Sequence, residues 1–245
     1  MNIIFPSAGI GSRFSSVGHE TPKPLIKIGG VSIIERAIYS LGANGNYYVI
    51  VSCLDKAQEQ EIKDILSRNQ LSGAVINLDH KTSGAPETCL AAESFVNLNE
   101  PLVICNNDHQ TDWDFDSFAK FADYHNYDAL VTTYNFKNIK IGQKSPYSHI
   151  KVDEYGLAVK FEEKLAISYL TLNGIFYWRK ASDFFNSARL LLKNPHFVNG
   201  EKYISQTFNY LIDSGLRVSY YQMSDNEYIS FGTPEDVANN IFKLK

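Results

Sequence analysis

The chain has 245 residues, of which 44% are hydrophobic and 13% aromatic, and its formal net charge is −4 at pH 7. This length and composition suit one large α/β domain, and the scattered lysines and arginines form no basic stripe of the kind that binds nucleic acid. No apolar run approaches the roughly 18–20 residues of a membrane span, and the opening run at Ile3 is too short for a signal-peptide core, so we expect a cytoplasmic protein without a membrane partner.

The first half of the chain alternates short β-branched or aromatic runs with segments of helical spacing, which is the pattern of βαβ units. Apolar residues recur at three- and four-residue spacing after Ile33 and after Asp55, which predicts two amphipathic helices. Pro86 suits the first turn of a third helix that carries Leu90, Ala91 and Phe95. Asp114 or Asp116 suits the N-cap of a fourth. The predicted strands cover residues 2–5, 47–52, 74–78 and 102–105.

After Asp128 the sequence becomes rich in strand signals. The turn at residues 153–156 separates two alternating runs, which predicts a β-hairpin. Pro234 opens a closing helix. The other predicted elements are strands at residues 129–134, 148–152, 157–161, 169–178 and 217–222, and helices at about 180–192 and 202–213. The whole predicts an α/β fold with a mixed, mainly parallel central sheet flanked by helices and a strand-rich C-terminal half.

The first strand leads into Ser7-Ala8-Gly9-Ile10-Gly11-Ser12-Arg13-Phe14, and Thr21-Pro22-Lys23-Pro24-Leu25 follows. A glycine-rich turn after a strand leaves backbone N–H groups free to bind phosphate, while Arg13 and Lys23 supply positive charge. The dinucleotide-binding fingerprint would need a third glycine where Phe14 stands, and the Walker Gly-Lys-Ser/Thr is absent. Both common phosphate-loop motifs are therefore excluded.

This pattern, G-x-G-[ST]-R-x followed about ten residues later by P-K-P-L, resembles the signature of the sugar-phosphate nucleotidyltransferases, which include glucose-1-phosphate thymidylyl-, uridylyl- and cytidylyltransferases. The likeness is strong in residues 1–34 and weaker at 104–108, 162–164, 173–174 and 232–236. It implies a GT-A-like, Rossmann-related single domain with a nucleotide-binding half, 1–127, and an acceptor-binding half, 128–245. The implied activity transfers a nucleoside monophosphate from an NTP to a sugar 1-phosphate and releases pyrophosphate. Residues 200–205 resemble bacterial members that serve capsule or surface-polysaccharide pathways.

The resemblance also implies roles for the N-terminal residues. Arg13 would hold the leaving pyrophosphate, and Lys23, stiffened by a proline on each side, would reach the α-phosphate. The implied nucleotide-binding residues of the turn are Ala8, Gly9, Gly11, Ser12 and Arg13.

Asp108 directly follows a buried strand and matches the metal-binding aspartate of the family, so we expect it to bind Mg²⁺, with Asn107 contacting the nucleotide. Ser230 stands where some relatives have a second metal aspartate. Either Asp225, Glu227 or Glu163 replaces it, or Asp108, the triphosphate and water hold the Mg²⁺, which we favour.

The loop at residues 82–85 is expected to contact the base through Ser83 and Gly84. It lacks the glutamine that thymidylyl- and uridylyltransferases often use, so CTP, UTP and dTTP all remain candidates. Glu163 and Lys164 resemble a family pair in which the lysine holds the sugar phosphate and the glutamate a sugar hydroxyl. The other residues expected to bind the phosphorylated acceptor are Asn173 and Gly174, and a glycine inside a strand also marks a bulge.

Three other functions stay open. A related cytidylyltransferase could act on a non-sugar phosphorylated metabolite, and a GT-A glycosyltransferase could use Asp112-Trp113-Asp114 as its D-x-D motif, although helix capping explains these residues more simply. A non-catalytic nucleotide-binding protein would explain Ser230. A homo-oligomer is possible, although core packing explains the apolar Phe184-Phe185 and Tyr220-Tyr221 pairs better. His109 is interpreted as an ordinary polar loop residue, with contact to a substrate beside Asp108 as the alternative. Cys53, Cys89 and Cys105 are interpreted as free, mostly buried thiols.

Overall fold

The computed structural model describes residues 1–9, 12–18, 20–52, 56–135, 139–224 and 226–243, with backbone only at residues 12, 56–58 and 135. A nine-stranded mixed sheet forms the centre of this described part, and two small two-stranded sheets lie beside it. The strands are β1 (Asn2–Ser7), β2 (Lys27–Ile28), β3 (Val31–Ser32), β4 (Asn46–Ser52), β5 (Ser72–Leu78), β6 (Leu102–Cys105), β7 (His109–Thr111), β8 (Ala129–Asn135), β9 (Lys144–Val152), β10 (Ala158–Leu165), β11 (Leu170–Trp178), β12 (Val218–Gln222) and β13 (Tyr228–Ser230).

The helices flank the large sheet, and they begin and end at recognisable capping signals. In the second of them, the Ser32 hydroxyl accepts a hydrogen bond from the Glu35 N–H, and Gly42 ends the helix in the left-handed conformation at φ +69°. The helices are α1 (Ser12–Ser15), α2 (Ile33–Leu41), α3 (Lys56–Arg68), α4 (Ala85–Leu90), α5 (Phe115–Tyr124), α6 (Ala181–Lys193), α7 (Ile204–Asp213) and α8 (Pro234–Asn240), with 3₁₀ turns at Lys23–Leu25, Glu93–Phe95 and Ile241–Lys243.

The N-terminal half of the sheet is parallel. β1 lies between β4 and β6, and β5 pairs with the outer side of β4. The C-terminal half joins through β11, which runs antiparallel to β6 and β8, while β12 is parallel to β8. The carboxyl ends of the parallel strands therefore meet at one edge, where ligands of open α/β sheets bind.

Successive residues of the central strands point to opposite faces of the sheet, and both faces are buried. Ile4 packs in the cluster that contains Trp178 and the phenylalanines of α6 and α7. Its neighbours Ile3 and Phe5 pack in the other cluster, with the apolar stripe of α2. Burial on both faces is what continuous apolar strands require, and it fixes where the carboxyl ends of the strands lie.

The β9–β10 hairpin at the edge of the sheet confirms the predicted turn. The Asp153 carboxylate accepts hydrogen bonds from the N–H groups of Tyr155 and Leu157, both at 2.9 Å. β10 is an edge strand of the sheet. Its outward backbone groups at Phe161 bond to the side-chain amide of Asn209, whose Oδ1 accepts at 2.8 Å and whose Nδ2 donates at 3.0 Å. This amide covers part of the strand edge.

The predicted elements are present within a few residues of their expected ends, with two kinds of difference. The third helix was expected to reach Phe95, but α4 ends at Leu90, because the Ala91 and Ala92 N–H groups bond three residues back to Thr88 and Cys89. The short pairs β2–β3 and β7–β13 were not predicted. Phe184 and Cys89 are buried as expected, and none of the helices in the described ranges could cross a membrane.

Candidate active site

A cavity of about 670 Å³ opens where β1 ends, between the turn after this strand and residues 199–201 of the other half. Among its described lining residues are three cations and a single carboxylate, Glu201. An excess of positive charge in a concave site suits phosphate groups. The lining residues are Pro6, Ala8, Gly9, Arg13, Phe14, Lys23, Lys81, Thr82, Ser83, Gly84, Ala85, Thr88, Asn199, Gly200, Glu201 and Gly232.

The cavity gathers most of the nucleotide-binding residues predicted from the sequence. Gly11 lies outside the described residues, and for Ser12 only the backbone is described. Asn107 does not line the cavity, but its amide donates a hydrogen bond of 2.7 Å to the Ser7 hydroxyl at the end of β1. The predicted residues on the cavity wall are Ala8, Gly9, Arg13, Lys23, Ser83 and Gly84.

Phe14 anchors the turn from beneath. Its side chain is buried in a small cluster with Ile33 and Phe231, so the turn is packed against both ends of the chain. The neighbouring Arg13 is exposed and lines the cavity. Phe14 occupies the place at which a dinucleotide-binding loop would need its third glycine, and here that place holds an apolar anchor instead.

Lys23 and Asp108 form an ion pair in which the Lys23 Nζ donates to the Asp108 carboxylate at 2.7 Å. The lysine stands on the 3₁₀ turn at Lys23–Leu25, which is fixed by Pro22 and Pro24. Burial acts to raise the pKa of Asp108, but the charge and hydrogen bond of Lys23 outweigh it and hold this pKa below its usual value. The Asp108 carboxyl therefore stays ionised at neutral pH.

His109 is buried in β7, so its interpretation as an ordinary polar loop residue was wrong. Burial lowers its pKa to about 4, and its ring lies 5.2 Å from that of Tyr228. Its Nε2 lies 3.6 Å from the Cys105 sulfur. The imidazole is neutral and forms part of the wall behind Asp108.

The segment that follows β13 lies directly against Asp108. The Phe231 N–H donates to the Asp108 carbonyl at 2.7 Å. Gly232 has no side chain, and a Cβ at this position would lie 3.3 Å from an Asp236 carboxylate oxygen, 3.5 Å from the Ser230 hydroxyl and 3.6 Å from an Asp108 carboxylate oxygen. Three oxygens therefore face one small space. The Ser230 hydroxyl donates to Asp236 at 3.2 Å.

Asp236 is a carboxylate that the sequence analysis missed. The replacement carboxylates considered were Asp225, which lies outside the described residues, Glu227 and Glu163, and the favoured alternative used no second carboxylate. Glu227 accepts hydrogen bonds from Ser224 in its own turn. Asp236 lies in the first turn of α8, four residues beyond Gly232, and a helical turn is what returns it to the strand end.

The donor set around Gly232 fits Mg²⁺. Within the described ranges, no group of three or more histidine, cysteine, aspartate or glutamate side chains could hold a metal ion. Magnesium, however, usually takes one or two carboxylates and completes its octahedron with substrate phosphates and water. Asp108 and Asp236, with the space that a Cβ of Gly232 would fill, meet that need.

The 82–85 loop forms the wall opposite the N-terminal turn. Gly84 has φ +145° and ψ −179°, a conformation that is essentially restricted to glycine, and a Cβ there would lie 2.1 Å from the Lys202 carbonyl oxygen. The Ser83 N–H and hydroxyl donate to Glu87 at 2.5 and 2.6 Å, and the Ser83 carbonyl accepts from the Lys202 N–H at 2.8 Å. The Ser83 polar groups are thus already bonded within the protein.

Lys202 holds residues 194–202 against this loop. Its side chain is buried, and the ammonium donates to the carbonyls of Asn194 and His196 and lies 4.2 Å from the centre of the Phe197 ring. Burial lowers its pKa. This buried lysine fixes the turn that carries Asn199, Gly200 and Glu201 to the cavity, and sequence reasoning missed this whole wall, together with Lys81.

The predicted acceptor pair lies outside the cavity lining. Glu163 is buried, and its carboxylate accepts hydrogen bonds from the hydroxyls of Ser148 and Ser205. Lys164 lies 3.3 Å from this carboxylate, donates to the Pro146 carbonyl at 2.6 Å and has φ +61°. A non-glycine residue in the left-handed region is uncommon and occurs at binding sites.

Asn173 and Gly174 also lie away from the cavity lining. The Asn173 amide is buried, accepts from the Thr132 hydroxyl and lies 3.0 Å from the Met223 sulfur, so an acceptor would have to replace these partners. Gly174 has φ +95°, and its carbonyl accepts from the Asn106 N–H at 2.8 Å. The register of β11 shifts at this place, which confirms the predicted bulge.

The D-x-D sequence is a helix cap. The Asp114 carboxylate accepts from the Asp116 N–H at 3.0 Å and from the Ser117 hydroxyl, and α5 begins directly after it. The capping interpretation is confirmed, and this motif contributes no ligand to the cavity lining.

Comparison with known proteins gives a consistent picture. Residues 2–243 match the family model described as Nucleotidyl transferase. The mannose-1-phosphate guanylyltransferase catalytic subunit beta of Danio rerio is 25% identical over 170 residues, which cover 67% of this chain and 45% of that protein. The Drosophila melanogaster counterpart is 24% identical over 159 residues, 64% of this chain and 42% of its own length. The chain spans less than half the length of these relatives.

Solved structures with the same fold cover nearly the whole chain. The nucleoside-diphosphate-sugar pyrophosphorylase of Vibrio cholerae RC9 has a TM-score of 0.84 at 20% identity, with 99% of this chain and 100% of that chain covered. A UDP-glucose pyrophosphorylase complexed with UDP-glucose has a TM-score of 0.78 at 17% identity, with coverages of 99% and 97%. The inositol-1-phosphate CTP transferase of T. maritima has 0.76 at 15%, with 99% and 93%.

Proposed function

The chain belongs to the nucleotidyl transferase family, and on that premise we propose that it transfers a nucleoside monophosphate from an NTP to a phosphorylated small molecule, preferably a sugar 1-phosphate, and releases pyrophosphate. The observation that carries this proposal is the cavity in which Arg13 and Lys23 converge opposite the 82–85 loop. A cationic pocket at the carboxyl edge of a parallel sheet is suited to a nucleoside triphosphate.

The reaction brings two anions together, so the protein has to neutralise and align them rather than supply a covalent nucleophile. The acceptor phosphate oxygen attacks the α-phosphorus, the bond to the bridging oxygen breaks, and pyrophosphate leaves. Arg13 holds the leaving group through its planar, permanently charged guanidinium. Lys23, positioned 2.7 Å from Asp108, meets the α-phosphate.

Asp108 and Asp236 would hold Mg²⁺. When bound, this ion would neutralise charge on the α- and β-phosphates. Asp236 takes the part that some relatives give to an aspartate at the position of Ser230, and the Ser230 hydroxyl orients its carboxylate through their hydrogen bond. Serine alone would be a poor ligand for a hard cation that prefers carboxylate and phosphate oxygens.

The proposal also concerns which nucleotide base and which acceptor the protein uses. The 82–85 loop has no glutamine, and the polar groups of Ser83 are occupied by Glu87 and Lys202, so CTP, UTP and dTTP are all to be tested. The proposal that the product is a nucleotide-activated sugar for surface polysaccharide is based on the resemblance of residues 200–205 to bacterial enzymes.

A pyrophosphate-release assay tests the proposal. Each of the four NTPs is combined with mannose 1-phosphate, glucose 1-phosphate or phosphocholine in the presence of MgCl₂, and products are identified by mass spectrometry. We expect pyrophosphate with at least one pair, and its loss in Lys23→Ala and Asp108→Ala. Lys27→Ala is the matched control, because Lys27 is exposed and pairs with Glu61.

The rival functions predict other outcomes. A glycosyltransferase would consume a nucleotide sugar without releasing pyrophosphate, and a regulatory protein would bind an NTP without turning it over. No described residue favours the first, since the D-x-D sequence caps α5. Unchanged turnover in Asp108→Ala would remove the metal assignment while leaving the activity in place.

A further inference from the structure

Tyr203 contacts the predicted acceptor pair and is close in sequence to residues that line the cavity. It is the residue before α7 and comes two positions after Glu201, which lines the cavity. Its aromatic ring lies beneath the Lys164 ammonium, with 5.1 Å between Nζ and the ring centre. An ammonium within about 6 Å of a ring centre is attracted by the negative face of the ring.

The Glu163 carboxylate is already engaged by the protein. It accepts hydrogen bonds from Ser148 and Ser205, its ion pair joins it to Lys164, and its side chain is only 2% exposed. A carboxylate with these partners is poorly placed to receive a sugar hydroxyl as well. It serves instead as the counter-ion of Lys164.

Lys164 is the member of the pair that can reach a substrate. Its side chain is 24% exposed, and its backbone is held at φ +61° where the register of β10 shifts. Three groups surround the ammonium: the Glu163 carboxylate, the Pro146 carbonyl and the Tyr203 ring. The carboxylate, through its ion pair, and the carbonyl, through a hydrogen bond, hold the lysine on its own hairpin, whereas the ring belongs to the residue directly before α7.

We propose that Tyr203 is a positioning residue that holds the Lys164 ammonium, through the face of its ring, where the phosphate of the acceptor substrate binds. This inference rests on the proposed function and names a residue that the sequence analysis did not select. The acceptor is thereby defined as a phosphomonoester whose phosphate lies between Lys164 and the cavity.

The electrostatics of the Tyr203 hydroxyl agree with this position. Burial and the nearby carboxylates of Glu201 and Glu163 raise its pKa to about 12, while Arg13 opposes them. The Tyr203 hydroxyl therefore interacts electrostatically with Glu201 and Arg13, which line the cavity, and with Glu163 of the predicted acceptor pair. It stays protonated at neutral pH and donates a hydrogen bond to Glu201.

Two variants separate the ring from the hydroxyl. Tyr203→Phe keeps the ring under Lys164, and Tyr203→Leu removes it. With the NTP and sugar 1-phosphate pair that turns over in the wild type, we expect Tyr203→Leu to raise the KM for the sugar 1-phosphate about 5- to 20-fold, and the KM for the NTP less than about twofold. Tyr203→Phe should keep both values within about threefold. Tyr210→Leu, on the same helix, is the control.

A second measurement needs no turnover. Acetylation of Lys164 by N-hydroxysuccinimidyl acetate, followed by peptide mass spectrometry, reports how firmly the ammonium is held, and we expect it to be several-fold faster in Tyr203→Leu than in the wild type, Tyr203→Phe or Tyr210→Leu. If the wild type releases no pyrophosphate with any pair, the proposed function fails while the acetylation rates still decide the role of Tyr203.

The inference is overturned if Tyr203→Leu has an unchanged Tm and matches the wild type both in the rate of Lys164 acetylation and in its affinity for the sugar 1-phosphate. It is also overturned if Tyr203→Phe is as impaired as Tyr203→Leu, because the ring would then not be the holding group. That second outcome decides the matter even if Tyr203→Leu does not fold.

Discussion

Replacing Lys23 by methionine should destabilise the protein because it leaves the Asp108 carboxylate without its counter-ion. The two charges lie 2.7 Å apart, and their gross attraction is about 6 kcal/mol at an effective dielectric constant of about 20 and about 1.5 kcal/mol in water. Desolvation of the partly buried pair offsets much of the larger figure. We therefore expect Lys23→Met to lower the free energy of unfolding by about 2–3 kcal/mol.

The loss should depend on pH with a definite sign. In the wild type the pKa of Asp108 is lowered in the folded state, so the pair stabilises the protein above the unfolded pKa, about 3.9, and this contribution disappears as the pH falls through the folded pKa. In Lys23→Met the burial remains without the lysine, so the pKa rises. The difference in stability between the two proteins should be complete above the raised pKa of Asp108 in Lys23→Met, and it should shrink as the pH falls through the lowered folded pKa of the wild type.

Urea unfolding of the wild type, Lys23→Met, Asp108→Asn and the double variant, without nucleotide and with EDTA, measures the coupling between the two side chains. We expect a coupling free energy of about 2 kcal/mol. Lys27→Met is the control, since its ion pair with Glu61 at 3.4 Å is exposed and should change stability by less than about 0.5 kcal/mol. A coupling no larger than that of the control, or a loss independent of pH, would refute this reasoning.

Three further predictions concern the walls of the site. Gly84→Ala should cost about 2–4 kcal/mol of stability and weaken NTP binding in calorimetry. Gly142→Ala, which also has a positive φ, +86°, but open space around it, should cost only about 1 kcal/mol and leave binding unchanged; equal effects would contradict the close contact at Gly84. Asp236→Asn should weaken binding of Mn²⁺, measured by electron paramagnetic resonance with an NTP analogue, at least about tenfold relative to the exposed control Glu235→Gln, and an equal affinity would remove Asp236 from the metal site. Because burial lowers the pKa of His109 to about 4 while the unfolded chain keeps about 6.5, the wild type should lose up to about 3 kcal/mol as the pH falls through this window, and urea midpoints of His109→Gln should show a weaker dependence; an identical dependence would contradict the assignment.

Much of the fold follows from local patterns in the sequence. The alternation of apolar strands and amphipathic helices predicted the parallel half, and the turn at Asp153 predicted the β9–β10 hairpin, because hairpins and helix caps depend on neighbouring residues. The pairs β2–β3 and β7–β13 were missed. They are two or three residues long, and β7 pairs with a partner more than a hundred residues away, so neither periodicity nor length reveals them.

The N-terminal part of the candidate site could be predicted for the same reason. Arg13 and Lys23 lie in a contiguous motif, and Asp108 follows a recognisable buried strand, three residues after its end at Cys105. Asp236 could not be selected in this way, because its proximity to Asp108 requires both the β7–β13 pairing and the first turn of α8. A carboxylate in the first turn of a helix is otherwise explained by the helix dipole alone.

The predicted acceptor pair shows why matching a motif does not by itself assign a role. The Glu163-Lys164 pair was recognised from its sequence, yet the folded chain surrounds the glutamate with two serine hydroxyls and leaves the lysine partly exposed over an aromatic ring. Which member of an adjacent charged pair can meet a substrate depends on the residues that other elements bring to it. Here those residues come from β9 and from the segment at the start of α7. Glu201, just before that helix, lines the cavity. The segment from residue 194 to α7 thus contacts the 82–85 loop through Lys202 and Lys164 through Tyr203. Under the proposed function the first contact acts mainly on the NTP and the second mainly on the acceptor, so substitutions at the two positions should separate the two substrates.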